Sequence, residues 1–305
     1  MKKWAKVRVP ASTSNLGPGF DVLGLALDLF NEVEVRVDRK LQGVSIEIEG
    51  EGKTSLPRNE NNVIWKTMEK VLSKLNAPTA GYELKFINRI PLARGLGSSA
   101  AAILSGVLAG NAISGSPLKK DEVFQLAAGM EGHPDNVAPQ LFGGLCVSVF
   151  NGKNFEVIQP ALPKGIQGVV CVPDFELSTA KARAVLPESI PHKDAVFNAS
   201  RTALFLSALA GKRFDLLKLG MEDRLHQPYR KTLIPGFDGV LEEAYRAGAF
   251  GVALSGAGPS IFAFTPLSKA SGVGRAMEKG FSSVGVKAKA MALKFNMKGS
   301  EIFSK

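Results

Sequence analysis

The chain has 305 residues, 45% of them hydrophobic, with 38 Lys and Arg against 28 Asp and Glu and a net charge of +10; that length buries a sizeable core and suits two domains or one large one. Nowhere do about 18 apolar residues run together, Cys146 and Cys171 sit in apolar stretches that suggest reduced thiols, and the basic surplus is dispersed rather than interleaved with aromatics. A membrane span, a disulfide scaffold and a nucleic-acid surface are thereby disfavoured, and because MKKWAKVRVPAS lacks an apolar signal core, cytoplasm is the expected compartment.

Residues 10–27 (PASTSNLGPGFDVLGLAL) set glycines and prolines around Ser12, Ser14, Asn15 and Asp21. This is either a turn between strands or a loop that brings an amide and a carboxylate close to a ligand. Residues 29–37 (LFNEVEVRV) and 44–49 (VSIEIE) alternate with period 2, so the chain opens as an antiparallel sheet. Across 60–75, Ile64, Met68, Val71, Leu72 and Leu75 recur at helical spacing, and Pro78 and Gly81 close that helix. Residues 82–90 (YELKFINRI), with Leu84 and Phe86 on one face, predict a half-buried strand.

The next stretch, PLARGLGSSAAA (91–102), leads into an Ala- and Leu-rich run to 113 that predicts a buried helix capped by Ser98 or Ser99. At a strand-to-helix junction glycines permit close backbone approach, and free N–H groups with the helix dipole favour an anion, most naturally phosphate. A tight turn is the plain alternative for Gly95 and Gly97. The run Gly95-Leu-Gly97-Ser-Ser-Ala100 formally fits a dinucleotide fingerprint, but four residues, Pro91 to Arg94, precede it and no acidic residue follows near 115. A Walker A loop is excluded, because Gly52-Lys53-Thr54 lacks the required earlier glycine.

A helix is expected at 121–130, followed by Glu131-Gly132-His133-Pro134-Asp135-Asn136. Helix capping by Asp135 or Asn136 competes with a functional role there. Zinc is disfavoured, with no nearby cysteine and no ligand spacing at His192 or His226. After a strand at 145–150, the Gly-, Pro- and Lys-rich 151–165 marks a boundary between domains 1–160 and 161–305. The second half reads as strands at 168–172, 250–254 and 260–264, a helix at 194–210 and a final strand at 286–293, with SGAGPS (255–260) as another glycine-rich turn.

Taken together, PLARGLGSSAAA, PASTSNLGPGFDVLG, EGHPDN followed by VAPQLFGG, and SGAGPS resemble the three-motif pattern of the GHMP small-molecule kinases. NLGPGFD with HPDNVAP, and the arginine-bearing LSTAKARAVLP and LHQPYRKTLIPG, are similar to the branch that acts on homoserine, over nearly the whole chain. The resemblance implies an α+β fold of two domains, the first like the second domain of ribosomal protein S5 and the second ferredoxin-like, with the site between them. It implies transfer of the ATP γ-phosphoryl group to the hydroxyl of L-homoserine, on the route to threonine, with ATP and Mg²⁺, no nucleic acid and no membrane; a homodimer stays open.

By that match the ATP-binding residues are Asn62, near the adenine, and Pro91, Leu92, Ala93, Arg94, Gly95, Leu96, Gly97, Ser98, Ser99 and Ala100, the backbone of 94–99 cradling the phosphates. Ser99 and Glu131 would hold Mg²⁺. Asn15, Asp21, His133, Thr179, Arg183 and Arg230 would face homoserine, and Asp135 and Asn136 would orient its hydroxyl as the catalytic pair. One departure stands out: only Gly132 separates Glu131 from His133, where some members carry a longer segment. A kinase of the same superfamily acting on mevalonate, a sugar or shikimate, and a basic RNA-binding protein built on the S5-like fold, are the competing readings.

Overall fold

The computed structural model describes residues 3–77 and 81–304. The alternating stretches of the first half form β1 (Trp4–Ser14), β2 (Leu23–Asp38), β3 (Val44–Gly50) and β4 (Gly81–Asn88). Pairing is antiparallel except between β3 and β4, which run parallel because helix α1 (Val63–Lys74) carries the chain across between them. The expected antiparallel sheet is corrected at that pair. Pro78, expected to close the helix, lies outside the described residues. At 16 residues β2 is long enough for two partners, pairing β4 with its second half and β5 (Leu145–Phe150) with Leu23 to Leu25.

Helix α2 (Ser98–Ile113) is buried on every face from Ile103 onward, which suits its nearly unbroken apolar sequence. Gly106 and Gly110 let α1 come close: a Cβ at Gly106 would meet Thr67 Cβ at 2.7 Å, and one at Gly110 would meet Val71 Cβ at 3.0 Å. The expected serine cap is not formed. Gly97, at φ +70°, takes the cap position, and Ser98 and Ser99 are already helical. Helices α3 (Lys120–Glu131) and α4 (Pro134–Phe142) follow, α4 beginning with proline at its first position, where a missing N–H costs nothing. His133 occupies the α4 cap position without a capping bond, so neither Asp135 nor Asn136 is the cap.

Strand β6 (Phe155–Ile158) pairs β5, and β7 (Ile166–Pro173) opens a second sheet. Four helices then follow, α5 (Thr179–Ala184), α6 (His192–Ala210), α7 (Leu217–Gly220) and α8 (Gln227–Arg230), before α9 (Phe237–Arg246), β8 (Gly251–Leu254), β9 (Ile261–Pro266), α10 (Ala270–Ser282) and β10 (Ala288–Leu293). The second sheet, ordered β10-β7-β9-β8, is antiparallel throughout. Its alternation divides two cores. Val169, Cys171, Ile261 and Ala263 pack with Val240, Val273, Met277 and Phe281 of α9 and α10, whereas Val170, Phe262 and Phe264 join Phe205 and Leu209 of α6 in the core shared with the first sheet. The strand at 288–293 is not the last: β11 (Glu301–Ser304) returns to pair antiparallel with β1, from Ala5↔Ser304 to Arg8↔Glu301.

Close packing at Gly106 has a measurable consequence. Gly106→Leu should lower stability by about 1–3 kcal/mol through overpacking against α1, read as a lower urea midpoint. Gly239 of α9 has open space where a Cβ would lie, so Gly239→Ala should raise stability by about 0.5–1 kcal/mol, read as a higher midpoint.

Candidate active site

A cavity of about 500 Å³ opens between the α2 N-terminus, the turn after β1, the segment from α3 into α4, the entry to α5 and the β8–β9 loop. Leu92, Ala93, Gly95 and Gly97 form one wall. Ala93, Gly95 and Gly97 have φ of +51°, +73° and +70°, and left-handed residues spaced this way turn backbone N–H groups inward as an anion nest. The Ser98, Ser99 and Ala100 amides have no acceptor within the helix, the first intrahelical bond from this cap being Ala101 N–H to Gly97 O at 2.9 Å. A side chain at Gly95 would overlap the Ser255 carbonyl, and one at Gly97 would overlap Ser12 Oγ, so both glycines are required by space as well as by backbone conformation.

The loop is held from two sides. Ser255 Oγ donates to Gly95 O at 2.7 Å, and Leu177 N–H donates to Ala93 O at 3.1 Å. On its other flank Gln140 Nε2 donates to Gly97 O (2.8 Å) and Ser12 Oγ (3.0 Å), Ser12 Oγ donates to Asn136 Oδ1 (2.8 Å), and Asn136 Nδ2 donates to Ser14 Oγ and Asp135 Oδ1, both at 3.1 Å. This chain ties the α2 N-terminus to the first turn of α4. Gly24 of β2 has no room for a side chain because the Asp135 carbonyl presses on it, which seats that turn against the sheet.

Two carboxyl groups meet here. Gly132, at φ +86°, ends α3 with its N–H on Ala128 O at 2.9 Å, and this single left-handed residue is enough to turn the chain into α4. Glu131 accepts from Ser99 Oγ at 3.0 Å, and burial pushes its carboxyl up to about 6, opposed by that bond and assisted by the charge of Asp135. Asp135, 4% exposed, is raised by burial and then by the charge of Asp21, against a hydrogen bond from Ser14.

Asn15, Leu16 and Asp21 all take positive φ, so the β1–β2 turn is tightly wound. Asn15 Oδ1 accepts from Asp21 N–H (3.0 Å) and its Nδ2 donates to Gly256 O (2.9 Å). Asp21 is gripped by Arg183 of α5 through two bonds, Nη2 to Oδ1 at 2.8 Å and Nη1 to Oδ2 at 3.2 Å. Arg183 Nε is buried without a partner among the described residues. Arg230 of α8, 1% exposed, donates Nε to Ala182 O (3.1 Å) and Nη1 to Gly256 O (3.2 Å), and burial, then the charge of Arg183, lowers it to about 10.

Most of the residues singled out in the sequence line this one cavity: Asn15, Asp21, Asn62, Leu92, Ala93, Gly95, Gly97, Ser98, Ser99, Glu131, His133, Asp135, Asn136, Thr179, Arg183 and Arg230. Pro91, Arg94, Leu96 and Ala100 do not. Leu96 and Ala100 are buried in the core, while Arg94 points toward Glu176 at 3.6 Å and, with Pro91, lines a neighbouring hollow. Asn62 caps α1, accepting from Ile64 N–H (2.9 Å) and donating to Pro57 O (2.7 Å). Ser14, Leu56, Pro57, Asn61, Leu177, Ser178 and Gly256 also line the cavity. Ser14 and Gly256 lay within motifs already noted; nothing in the pattern around Leu56 or Asn61 marked them.

Because the folded state raises the Glu131 carboxyl above its unfolded value, this group weakens the fold as pH rises from about 4.5 through 6, where the folded protein would otherwise keep its proton. Glu131→Gln should therefore raise unfolding stability at pH 8 by about 1 kcal/mol and leave it nearly unchanged at pH 4. Urea titrations at the two pH values check this, and equal effects at both would refute it.

Comparison with known proteins gives two family matches, to the GHMP kinases N terminal domain at residues 62–144 and to GHMP kinases C terminal at residues 205–283. The chain is 46% identical over 282 residues to a homoserine kinase of Carboxydothermus hydrogenoformans, covering 92% of this chain and 91% of the relative. It is 44% identical over 300 residues to a homoserine kinase of Persephonella marina, covering 98% of each. Among solved structures, homoserine kinase from Cytophaga hutchinsonii superposes with a TM-score of 0.90 at 33% identity, over 99% of this chain and 98% of that one. A mevalonate kinase structure (TM-score 0.74, 18% identity, covering 95% and 99%) shares the fold.

Proposed function

The chain belongs to the GHMP kinase family, and from that membership we propose that it transfers the γ-phosphoryl group of ATP to the side-chain hydroxyl of L-homoserine, forming O-phospho-L-homoserine and ADP on the route to threonine. One observation carries the reading: the phosphate-type loop at the α2 N-terminus and the Asp21–Arg183 pair open onto the same cavity. The first suits a triphosphate. The second offers one negative and one positive group side by side, the complement of an amino acid's ammonium and carboxylate. Arg183 Nε, buried and partnerless among the described residues, is a donor in want of an acceptor such as that carboxylate.

Ser99 and Glu131 fit Mg²⁺. Their oxygens meet at 3.0 Å, and no group of three His, Cys, Asp or Glu side chains among the described residues forms a closed metal cage; magnesium is commonly held by one or two carboxylates together with substrate phosphates. There it would supply positive charge against the oxygens of the transferring group. The protein's own contribution is placement and charge, because phosphoryl transfer passes through a loose transition state that asks for little covalent help. The hydroxyl oxygen forms the new bond to the γ-phosphorus while the bond to the bridging oxygen breaks, ADP departs and the hydroxyl proton is given up to Asp135 or to water.

Asp135 accepts the hydrogen bond of the attacking hydroxyl in this reading, its raised proton affinity suiting it to that task. Asn136 fixes Asp135 through its bond to Oδ1. The α2 amides stay on the phosphates. Cys146 and Cys171, buried and with thiols pushed up to about 12, are inert, which fits a reducing cytoplasm, where we place the reaction.

Glu131→Gln should lower kcat by on the order of a hundredfold or more; near-normal turnover at saturating Mg²⁺ would remove Glu131 from the metal site. Asp21→Asn should depress kcat/KM for homoserine by on the order of tenfold to a thousandfold, since an ammonium then lacks its partner in a closed site, with ATP binding unchanged. Coupled ADP-release assays on homoserine and mevalonate decide the substrate. Equal turnover of both by the wild-type protein would sink the homoserine reading.

A further inference from the structure

His226 is fully buried beside the site. Its Nε2 lies 2.8 Å from the Gly17 carbonyl, and its Nδ1 lies 3.3 Å from Arg230 Nη1. A carbonyl oxygen only accepts and a guanidinium only donates, so these two partners dictate one tautomer: Nε2 carries the proton and Nδ1 presents a lone pair to Arg230. The ring stacks on Phe20, with centroids 5.2 Å apart and planes 24° apart. Phe20 in turn lies beneath both Arg183, at 5.4 Å, and Arg230, at 5.1 Å.

The support beneath His226 is equally specific. Asp223 accepts from the backbone N–H groups of Leu225, His226 and Gln227 and from Asn198 Nδ2, building the turn from which the imidazole projects. Asp223 Oδ2 is also 3.6 Å from Nε2. The charged groups facing the ring are therefore Asp223, Arg230 and Asp21; burial outweighs the two acids and lowers the imidazole's proton affinity, so it stays neutral.

We infer that His226 is a positioning residue for substrate selection: as the Nε2–H tautomer it joins the Arg230 guanidinium to the Gly17–Asp21 turn, fixing Arg230 relative to the Asp21–Arg183 pair that reads the two charges of the amino acid. The inference rests on the assignment of Asp21 and Arg230 to the homoserine end of the cavity. His226 itself does not line the cavity. Its loss should thus appear in homoserine recognition and leave the nucleotide side alone, since the α2 loop is held by Ser255, Gln140 and Leu177 instead.

Three substitutions separate the contacts. His226→Phe keeps the stack and removes both bonds, His226→Asn keeps an acceptor near the Nδ1 position, and His226→Gln keeps a donor near Nε2. The phenylalanine variant should raise KM for homoserine by roughly ten- to hundredfold, the loss expected for a buried hydrogen bond to a charged group, with KM for ATP within about twofold of wild type. Asparagine should recover more of the homoserine KM than phenylalanine. Equal shifts in both KM values, or no shift in either, would overturn the inference, as would asparagine no better than phenylalanine. If the variants do not fold, the wild-type protein still decides: it has three histidines, and ¹⁵N NMR of them should show one locked as neutral Nε2–H from pH 6 to 8. An Nδ1–H or titrating His226 refutes the assignment. Wild-type protein that does not turn over homoserine would fail the functional reading instead, leaving the NMR result standing.

Discussion

The carbonyl of Gly256 is the point on which the site is hung. It accepts from Asn15 Nδ2 and from Arg230 Nη1, while the N–H of the same residue donates to Ser14 O at 3.1 Å. One residue earlier, Ser255 bonds Thr13 Oγ1 at 2.9 Å and the Gly95 carbonyl. A two-residue stretch of the β8–β9 loop thus holds the N-terminal turn, the phosphate-type loop and a deeply buried arginine. Hydrogen bonds to charged groups are worth about 1.5–3 kcal/mol each, yet the larger effect is geometric. Groups from opposite ends of the chain share one backbone anchor, so the distance between them is set by that anchor rather than by flexible side chains.

This arrangement stores cost as well as order. Glu131 and Asp135 hold their protons more tightly than free carboxyls, and Arg230 is driven down to about 10 by burial, although at neutral pH it keeps its charge. Ordinary stability would favour none of these. They persist because each is tied to a fixed partner, Ser99, Asn136 and the Ala182 and Gly256 carbonyls respectively. Such strain concentrated in one cavity is the pattern expected where charge must be handled during a reaction.

Much of this was legible in the residues, for reasons that differ from element to element. The strand at 145–150 coincides with β5, and the helix at 98–113 with α2 because a nearly unbroken Ala- and Leu-rich run of that length, entered through a glycine turn, suits a buried helix. The serine cap failed, since Gly97 can adopt a left-handed conformation that leaves both serines free to turn toward the cavity. Helix α10 escaped notice because Gly272, Gly274 and Gly280 interrupt a pattern, Val273, Met277 and Phe281, whose spacing is helical; Gly280 is there to let Val240 of α9 approach. Residues such as Leu56 and Asn61 enter the cavity only through tertiary folding. The sequence around His226 argues against a metal ligand but does not reveal its partners, Gly17 and Arg230, which are related to it by the fold and by one helical turn.

The return of β11 to β1 bears on how the molecule is made. Arg8 and Glu301, joined at 3.2 Å, are 293 residues apart along the chain, so the edge of β1 meets this neighbour only after all the residues between them have been made. Until then β1 presents an unpaired row of backbone donors and acceptors, a template for other chains. The four-residue β11 then covers that edge from Ala5 to Arg8.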